Sequence, residues 1–336
     1  MNREVAAAIA VIAIIALAGL GGWSILGSQK NTEKPVESIR VAYSPFESCA
    51  LFLVAEDLHF FTQNGLNLTL YRSDSGAAAL EDMLNGKADL AVSVSEFPLV
   101  KKVFQGIPVC AVASIDRAEY IFIVARKDRG IENPSDLRGK QIGTATGSIA
   151  EFNLGRFLSL HGLEMQDIQY VSLKTPLETS NAVVDGDLDA AVLAQPYADQ
   201  ARDRLDHNAI IWPAQNNQPL YALVVSADEW VAEHPEHITR FLQALAEAEE
   251  YTNAHPAEAR AIVQRSLNLD AGYMDTVWQQ NQFSLSLDQS LITAMEDEGR
   301  WMIKNNLTTE KTLPYFRDYI YTKELEEIKP DAVNIR

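Results

Sequence analysis

Apolar and polar positions along the chain follow two periods, one typical of strands and one typical of helices. Short apolar runs predict strands at residues 38–43, 66–71, 90–93, 107–115, 120–125, 168–173, 190–193, 210–213 and 220–226. Segments between them predict helices at 48–64, 76–84, 97–104 and 147–161, and one beginning near 176. Such alternation predicts an α/β fold with mostly parallel strand pairing.

Strand signals disappear after residue 228, where the pattern becomes helical. It predicts helices at 235–254, 256–267, 270–282, 287–305 and near 311–325. Two extended segments of similar apolar character, 120–125 and 220–226, are expected to act as hinge strands. We therefore expect lobe 1 to comprise 38–119 and 227–336, with the C-terminal helical block packed on it, and lobe 2 to comprise 120–226. Three sequential domains are the alternative.

A short internal repeat supports two similar lobes. The stretch Leu84–Val92 reappears as Val184–Val192, with matching Gly-x-x-Asp positions and a matching Ala-Val pair at the end. Each copy ends a polar helix, turns at Asn-Gly or Asp-Gly and enters an apolar strand. In open α/β sheets, ligands bind outside the carboxyl ends of strands. Two such units predict a clamshell that closes on a small molecule.

The N-terminus carries an apolar run, Val5–Gly27, of 23 residues without a charge. Its length suits an uncleaved membrane anchor, and the small residues Ala16-Leu-Ala18 suit a cleaved signal peptide. We favour the anchor for residues 1–28, followed by a linker over 29–37. Either alternative places the rest of the chain outside the cytoplasm.

The chain has a formal net charge of −18. Such an acidic surface argues against nucleic acid, because phosphate contacts need Lys and Arg. It also argues against peripheral binding to anionic lipid. The expected state is a monomer. The two cysteines, Cys49 and Cys110, leave open a disulfide or two buried thiols.

Hydroxyl-bearing residues cluster where predicted strands end and helices begin. Free N–H groups and the helix dipole make such positions suitable for anions, although the same residues also serve as plain helix caps. Aromatic residues near the strand ends could cover an alkyl chain or stack on a ring. The predicted ligand-binding residues are Ser44, Phe46, Ser75, Gly76, Ser95, Glu96, Thr146, Gly147, Ser148, Gln195, Tyr197 and Trp212.

Catalytic and metal-binding patterns are weak. The Gly143–Ser148 segment lacks the Lys of a phosphate-binding loop, and no Gly-x-Ser-x-Gly occurs. His234 and His237 fall at a solvated helix start. We therefore expect no catalytic residue, no metal and no cofactor.

Several segments resemble the periplasmic-type substrate-binding proteins of ABC importers in the nitrate, sulfonate, taurine and thiamine-precursor group. The segments that carry the resemblance are Val41–Ser44, Ala55–Phe61 with Asn64–Leu66, Ser75–Leu80 with Gly86–Asp89, Leu137–Gly143 with Gly147-Ser148, and Gln195–Tyr197. The family more often has an acidic residue at the position of Gln195. This departure removes a charge from the expected cleft.

The resemblance implies a two-lobed periplasmic-binding-protein fold of type II and an extracytoplasmic protein, anchored or secreted. It implies that the protein delivers a small molecule to an ABC permease with its ATPase subunits. The hydroxyl-rich loops at helix starts favour a small oxyanion, such as a sulfonate or nitrate. A pyrimidine, thiamine-precursor or flavin-type ligand is the alternative. A pyrimidine-forming enzyme shares the fold, but its Cys-rich active segment has no counterpart here.

Overall fold

Two five-stranded mixed sheets organise residues 36–335, the part of the chain that this computed structural model describes. The strands are β1 Glu37–Tyr43, β2 Leu66–Arg72, β3 Leu90–Val94, β4 Val109–Ala118, β5 Ile121–Arg126, β6 Gln141–Ala145, β7 Gln169–Leu173, β8 Ala190–Ala194, β9 Ala209–Pro213 and β10 Leu220–Ala227. The predicted anchor or signal peptide at 1–28 lies outside the described residues.

Helices cover the sheets and form the C-terminal block. They are α1 Ala50–Asp57, α2 Phe60–Gln63, α3 Gly76–Leu84, α4 Glu96–Phe104, α5 Ile149–Leu160, α6 Pro176–Asp185, α7 Tyr197–Leu205, α8 Asp228–Glu233, α9 Pro235–Ala254, α10 Pro256–Leu267, α11 Ala271–Val277, α12 Gln289–Lys304 and α13 Lys323–Ile328. Between residues 36 and 335, no helix combines the length and apolarity that crossing a bilayer requires.

The two sheets share one topology. The first has the order β2-β1-β3-β10-β4 and the second has the order β7-β6-β8-β5-β9. In each sheet the first three strands pair in parallel, and the fourth, β10 or β5, runs antiparallel to its neighbours. We call the part built on the first sheet lobe 1 and the part built on the second sheet lobe 2. The predicted α/β, two-lobed architecture is confirmed.

The repeated sequence forms the same local structure in both lobes. Gly86 and Gly186 follow the helices with φ of 75° and 91°, a conformation that glycine adopts without a steric cost. Asp89 accepts a hydrogen bond from the Arg40 N–H at 2.8 Å. Asp189 accepts one from the Gln141 N–H at 2.9 Å. Each carboxylate thus ties its strand to the first parallel strand of its sheet.

The chain crosses between the lobes beside the predicted hinge strands rather than within them. Residues 120–125 and 220–226 mostly belong to β5 and β10, which are interior strands of the two sheets. The chain passes from one lobe to the other in two short links, one after β4 and one after β9, which we call the crossings. Gln215, 1% exposed, clamps them: its Oε1 accepts from Tyr120 N and Ile121 N at 2.7 and 2.9 Å, and its Nε2 donates to Ala118 O at 2.9 Å.

The C-terminal helices share a hydrophobic core with lobe 1. Phe241 of α9 stacks on Phe61, with ring centroids 4.9 Å apart, and both lie close to Phe52. Lobe 2 has its own smaller cores on the two faces of its sheet. The helical block therefore belongs to lobe 1, because its apolar stripe covers that sheet.

The helix α12 also contacts lobe 2. Its Trp301 packs edge-on against Phe152 of α5 at 5.7 Å and against Phe97 of α4 at 5.8 Å. A Cβ at Gly155 would overlap the Trp301 indole, so the glycine leaves room for the ring. This aromatic contact joins the lobes on one side.

The helices differ from the prediction in several places. The helix expected at 48–64 breaks at His59, whose φ of 60° ends α1 before α2 begins. The helix expected near 311–325 is replaced by a 3-10 turn at Phe316–Tyr319 and the short α13, because the proline at 314 cannot donate to a helical ladder. Helix α7 was not predicted at all.

Candidate ligand-binding site

A cavity of about 90 Å³ lies between the sheets, at the carboxyl ends of their parallel strands. Its walls come from both lobes. The hydroxyl-bearing residues in the wall are Ser44, Ser48, Ser75, Ser93, Ser95, Tyr120, Thr144, Ser148 and Tyr221. The remaining wall is apolar, and none of the lining residues is charged. The cavity therefore offers neutral hydrogen-bonding groups to a small ligand.

In lobe 1, helix α3 begins very close to the end of β3. A Cβ on Gly76 would overlap the carbonyl oxygen of Ser93, so only glycine allows this approach. Ser93 itself has a φ of 61°, and its hydroxyl lies 2.6 Å from that of Ser48. Ser75 caps α3 by accepting from Ala78 N at 3.2 Å.

Ser44 differs from these serines because its hydroxyl has no partner among the described residues. It follows β1, and its N–H donates to Val92 O at 3.2 Å. The residue is 1% exposed, yet its Oγ makes no hydrogen bond. A buried hydroxyl without a partner is costly, and a ligand in the cavity would satisfy it.

Two further helices begin at the cavity without a capping bond from the preceding side chain. Ser95 precedes α4 and Ser148 precedes α5, and neither hydroxyl accepts from its helix. The Ser148 hydroxyl instead donates to Ala145 O at 2.7 Å. The first N–H groups of a helix need partners from outside, and they attract negative charge.

Buried carboxyl groups lie behind the cavity wall. Glu96 opens α4, is 1% exposed and accepts from Tyr221 N at 3.0 Å. Burial raises the pKa of Glu96 to about 7. Burial, followed by the neighbouring charge of Glu96, raises the pKa of Glu298 on α12 well above its ordinary range. Glu96 is thus placed to hold the backbone of β10 rather than to bind ligand as a free carboxylate.

The structure brings half of the predicted site residues into the cavity wall: Ser44, Phe46, Ser75, Gly76, Ser95 and Ser148. It places the others elsewhere. Thr146 lies within hydrogen-bonding distance of Ser172 and Tyr170. The Gly147 N–H is already used, because it donates to Glu151 Oε2 at 2.8 Å. Neither of these two residues lines the cavity.

The remaining predicted residues lie around the cavity or away from it. Trp212 stacks on Phe157 at 6.0 Å and packs against the lobe 2 core, because the register of β9 turns it to that face. Gln195 is buried beside the cavity, and Glu96 lies behind it. Tyr197 lines an outer space of about 510 Å³ that shares Phe46 and Pro176 with the cavity. We call this outer space the vestibule.

Among the hydroxyl-bearing wall residues, the sequence prediction missed five: Ser48, Ser93, Tyr120, Thr144 and Tyr221. Ser93 and Thr144 could have been found, because each stands near the carboxyl end of a strand, β3 or β6. The positions of Ser48, Tyr120 and Tyr221 depend on how the crossings and β10 meet the first turn of lobe 1. Both cysteines are free and buried.

The fold is a two-lobed α/β fold with a cavity between its sheets, and comparison with known proteins gives the family. The chain belongs to the NMT1/THI5-like family, whose profile matches residues 47–259. The structure of the alkanesulfonate-binding protein SsuA from Xanthomonas axonopodis pv. citri bound to MOPS is similar, with a TM-score of 0.74 and 18% identity over 86% of this chain and 99% of that chain. This likeness confirms the periplasmic-binding-protein fold.

Two curated relatives carry different names. A Bacillus subtilis (strain 168) protein described as aliphatic sulfonates-binding is 22% identical over 319 residues, which is 93% of this chain and 92% of the relative. The 4-amino-5-hydroxymethyl-2-methylpyrimidine phosphate synthase of Aspergillus parasiticus is 25% identical over 223 residues. That match covers 61% of this chain and 63% of the Aspergillus protein, less than two thirds of its length.

Proposed function

We propose that this protein is an extracytoplasmic solute-binding protein of an ABC importer. The two-lobed fold with a small cavity at the strand ends supports this proposal, as do the relatives named for sulfonate binding. The partners would be a permease and its ATPase subunits. Whether the protein is anchored or secreted depends on residues 1–28.

The proposed ligand is a small oxyanion of the sulfonate class. The observation that carries this proposal is the unpartnered, buried Ser44 hydroxyl in a wall of neutral donors. The uncapped starts of α4 and α5 supply N–H groups and a favourable dipole from both lobes. Hydrogen bonds to a charged group contribute about 1.5–3 kcal/mol each, so a few neutral donors suffice without a cation.

Ligand binding would favour closure because both lobes contribute to one cavity. Ser44, Ser75 and Ser95 come from lobe 1, whereas Thr144 and Ser148 come from lobe 2. A ligand that contacts both sets stabilises the closed arrangement by the difference in its affinity for the two states. The closed form would then dock on the permease.

A pyrimidine-type ligand is the second candidate. Phe46, Tyr120 and Tyr221 line the cavity and could stack on a ring. Relatives named for pyrimidine phosphate synthesis and for thiamine biosynthesis favour it as well. A catalytic function has less support, because burial raises the pKa of both the Cys49 and Cys110 thiols and suppresses their nucleophilic form. Incubation with a pyrimidine precursor and product analysis would detect turnover.

Thermal unfolding with a ligand panel tests the proposal. The panel contains alkyl and aryl sulfonates, nitrate, aminopyrimidines and flavins. A ligand at 100 times its Kd should stabilise the folded state by about 2.7 kcal/mol, which is a readable rise in Tm. A rise with sulfonates supports the proposal, a rise with pyrimidines alone favours the second candidate, and no rise contradicts both.

The Ser44→Ala variant tests whether the buried, unpartnered Ser44 hydroxyl binds the ligand. It should weaken sulfonate binding by about tenfold or more, because it deletes one hydrogen bond to a charged group. It should leave Tm without ligand almost unchanged, since Ser44 Oγ has no partner to lose. Ser159→Ala, on the exposed end of α5, is the matched control and should bind normally. Equal affinity of the Ser44 variant and the control would contradict the assignment.

A further inference from the structure

A second pocket lies within lobe 1 and shares no lining residue with the cavity or the vestibule. Its volume of about 380 Å³ falls in the range of small-molecule sites. The end of β4, the end of α9, the start of α10 and the segment after α11 form its wall. Two aromatic rings and a proline stand there beside six polar side chains. We call this space the lobe 1 pocket.

Backbone pairing holds the wall of the lobe 1 pocket in place. Residues 281–286 run antiparallel beside β4. The Arg117 N–H donates to Gln282 O at 3.3 Å, and the Gln282 N–H donates to Arg117 O at 2.8 Å. The rings of Trp278 and Phe283 lie on the same segment, with centroids 4.4 Å apart. The fold therefore builds the wall from backbone that is already hydrogen-bonded.

Three wall residues carry a buried polar atom without a hydrogen-bond partner in the part of the chain described. These atoms are Arg117 Nε, Thr252 Oγ1 and Asn281 Oδ1. Thr252 is 5% exposed. Asn281 donates from Nδ2 to Val277 O at 2.7 Å, which leaves its Oδ1 as an acceptor. Buried polar groups are normally paired, so the lobe 1 pocket offers one N–H donor, one acceptor and one hydroxyl to a ligand.

The charge of the lobe 1 pocket favours a neutral ligand. Arg117 Nη1 lies 3.1 Å from Asp288 Oδ2, and both side chains are mostly buried. The other described wall residues are uncharged. An anion would therefore compete with Asp288 for the guanidinium, and a cation would meet no carboxylate in the wall.

We propose that the lobe 1 pocket binds a sugar, that is, a neutral polyhydroxylated ring, as a second ligand separate from that of the cavity. A hydroxyl group has one donor and two acceptor positions, so the hydroxyls of one ring can accept from Arg117 Nε and donate to Asn281 Oδ1. An ammonium has only donors and an oxyanion has only acceptors, so neither serves both atoms. The apolar C–H face of the ring packs on Trp278 and Phe283.

Nuclear magnetic resonance of the indole N–H groups tests the site, and the Trp278→Phe variant identifies the Trp278 signal. The probes are glucose, galactose, mannose, N-acetylglucosamine and their disaccharides. Tetrahydropyran, which has the ring without hydroxyls, is the matched control. At least one sugar should shift the Trp278 signal, whereas the Trp212 signal from lobe 2 should stay in place. No shift at Trp278, or an equal shift with tetrahydropyran, would overturn the site and leave the proposed function standing.

The Thr252→Val variant tests the unpartnered hydroxyl. It keeps the shape of the side chain and should weaken sugar binding about threefold to tenfold, since one neutral hydrogen bond is lost. Its Tm without ligand should not fall, because Thr252 Oγ1 has no partner to lose. Thr239→Val, near the start of the same helix α9, is the matched control and should bind normally. Phe283→Leu, which removes an aromatic face, should also weaken binding. Wild-type affinity in both folded pocket variants would overturn the assignment.

Discussion

Replacing Gln215 with Ala should destabilise the protein strongly, although the residue lies in a short connection. Its side chain makes four hydrogen bonds: two accepted from Tyr120 N and Ile121 N, and two donated to Ala118 O and Gln218 O. The bonds to Ile121 and Ala118 are fully buried, so water cannot replace them. A buried group left without its partner costs about 1–3 kcal/mol, which gives a total loss of about 2–5 kcal/mol.

Urea unfolding followed by circular dichroism measures this loss. Gln200→Ala, an exposed glutamine on α7 in the same lobe, is the matched control and should change stability by less than about 0.5 kcal/mol. Gln215→Met keeps most of the side-chain volume but none of the hydrogen bonds, so it should be almost as unstable as Gln215→Ala. The claim that the Gln215 hydrogen bonds hold the two crossings together would be refuted by either of two results. One is a loss of unfolding free energy below about 1 kcal/mol in Gln215→Ala, and the other is wild-type stability in Gln215→Met.

Three further predictions concern the cavity wall, pH and the repeat. Gly76→Ala should cost about 1–3 kcal/mol in unfolding free energy and weaken ligand binding, since its Cβ overlaps the Ser93 carbonyl; wild-type values would contradict this. Burial raises the pKa of Glu96 to about 7 from an ordinary 4.5, so its stabilising contribution is complete below pH 4.5 and is lost as the pH rises to about 7. The difference in unfolding free energy between pH 5 and pH 8, measured by urea unfolding, should therefore be smaller in Glu96→Gln than in the wild type. Asp89→Ala and Asp189→Ala should each cost about 1–3 kcal/mol by leaving a strand N–H unpaired, and a neutral result for both would show that the carboxylates are not structural.

Much of the fold could be predicted because it depends on local periodicity. Helices α9 and α10 begin and end where the sequence predicted, because Pro235 and Pro256 mark their first turns and their apolar faces are continuous. The repeat could also be recognised from the sequence, since Gly86 and Gly186 form turns with a positive φ that few other residues adopt. The helix at Tyr197–Leu205 was missed, because the side chains it buries are only Ala198, Ala201 and Leu205.

The candidate site could be predicted less well than the fold, because strand ends can be located from the sequence but side-chain directions cannot. Ser44 and Ser148 follow strands and line the cavity, as their positions predicted. Thr146 also follows a strand, yet it faces Ser172 on the neighbouring strand. A shift of one residue at a strand end reverses the face, and pairing partners set that register.

By itself the sequence determined two repeated α/β units, a helical C-terminal block and hydroxyl groups at the strand ends, since periodicity, glycine turns and helix starts are local properties. Only the tertiary structure decided which hydroxyls share one cavity and that Gln215 joins the two crossings. The pair Ser44 and Ser148 and the pair Tyr120 and Gln215 are each far apart in the sequence, and only the packing of the two lobes brings their members together.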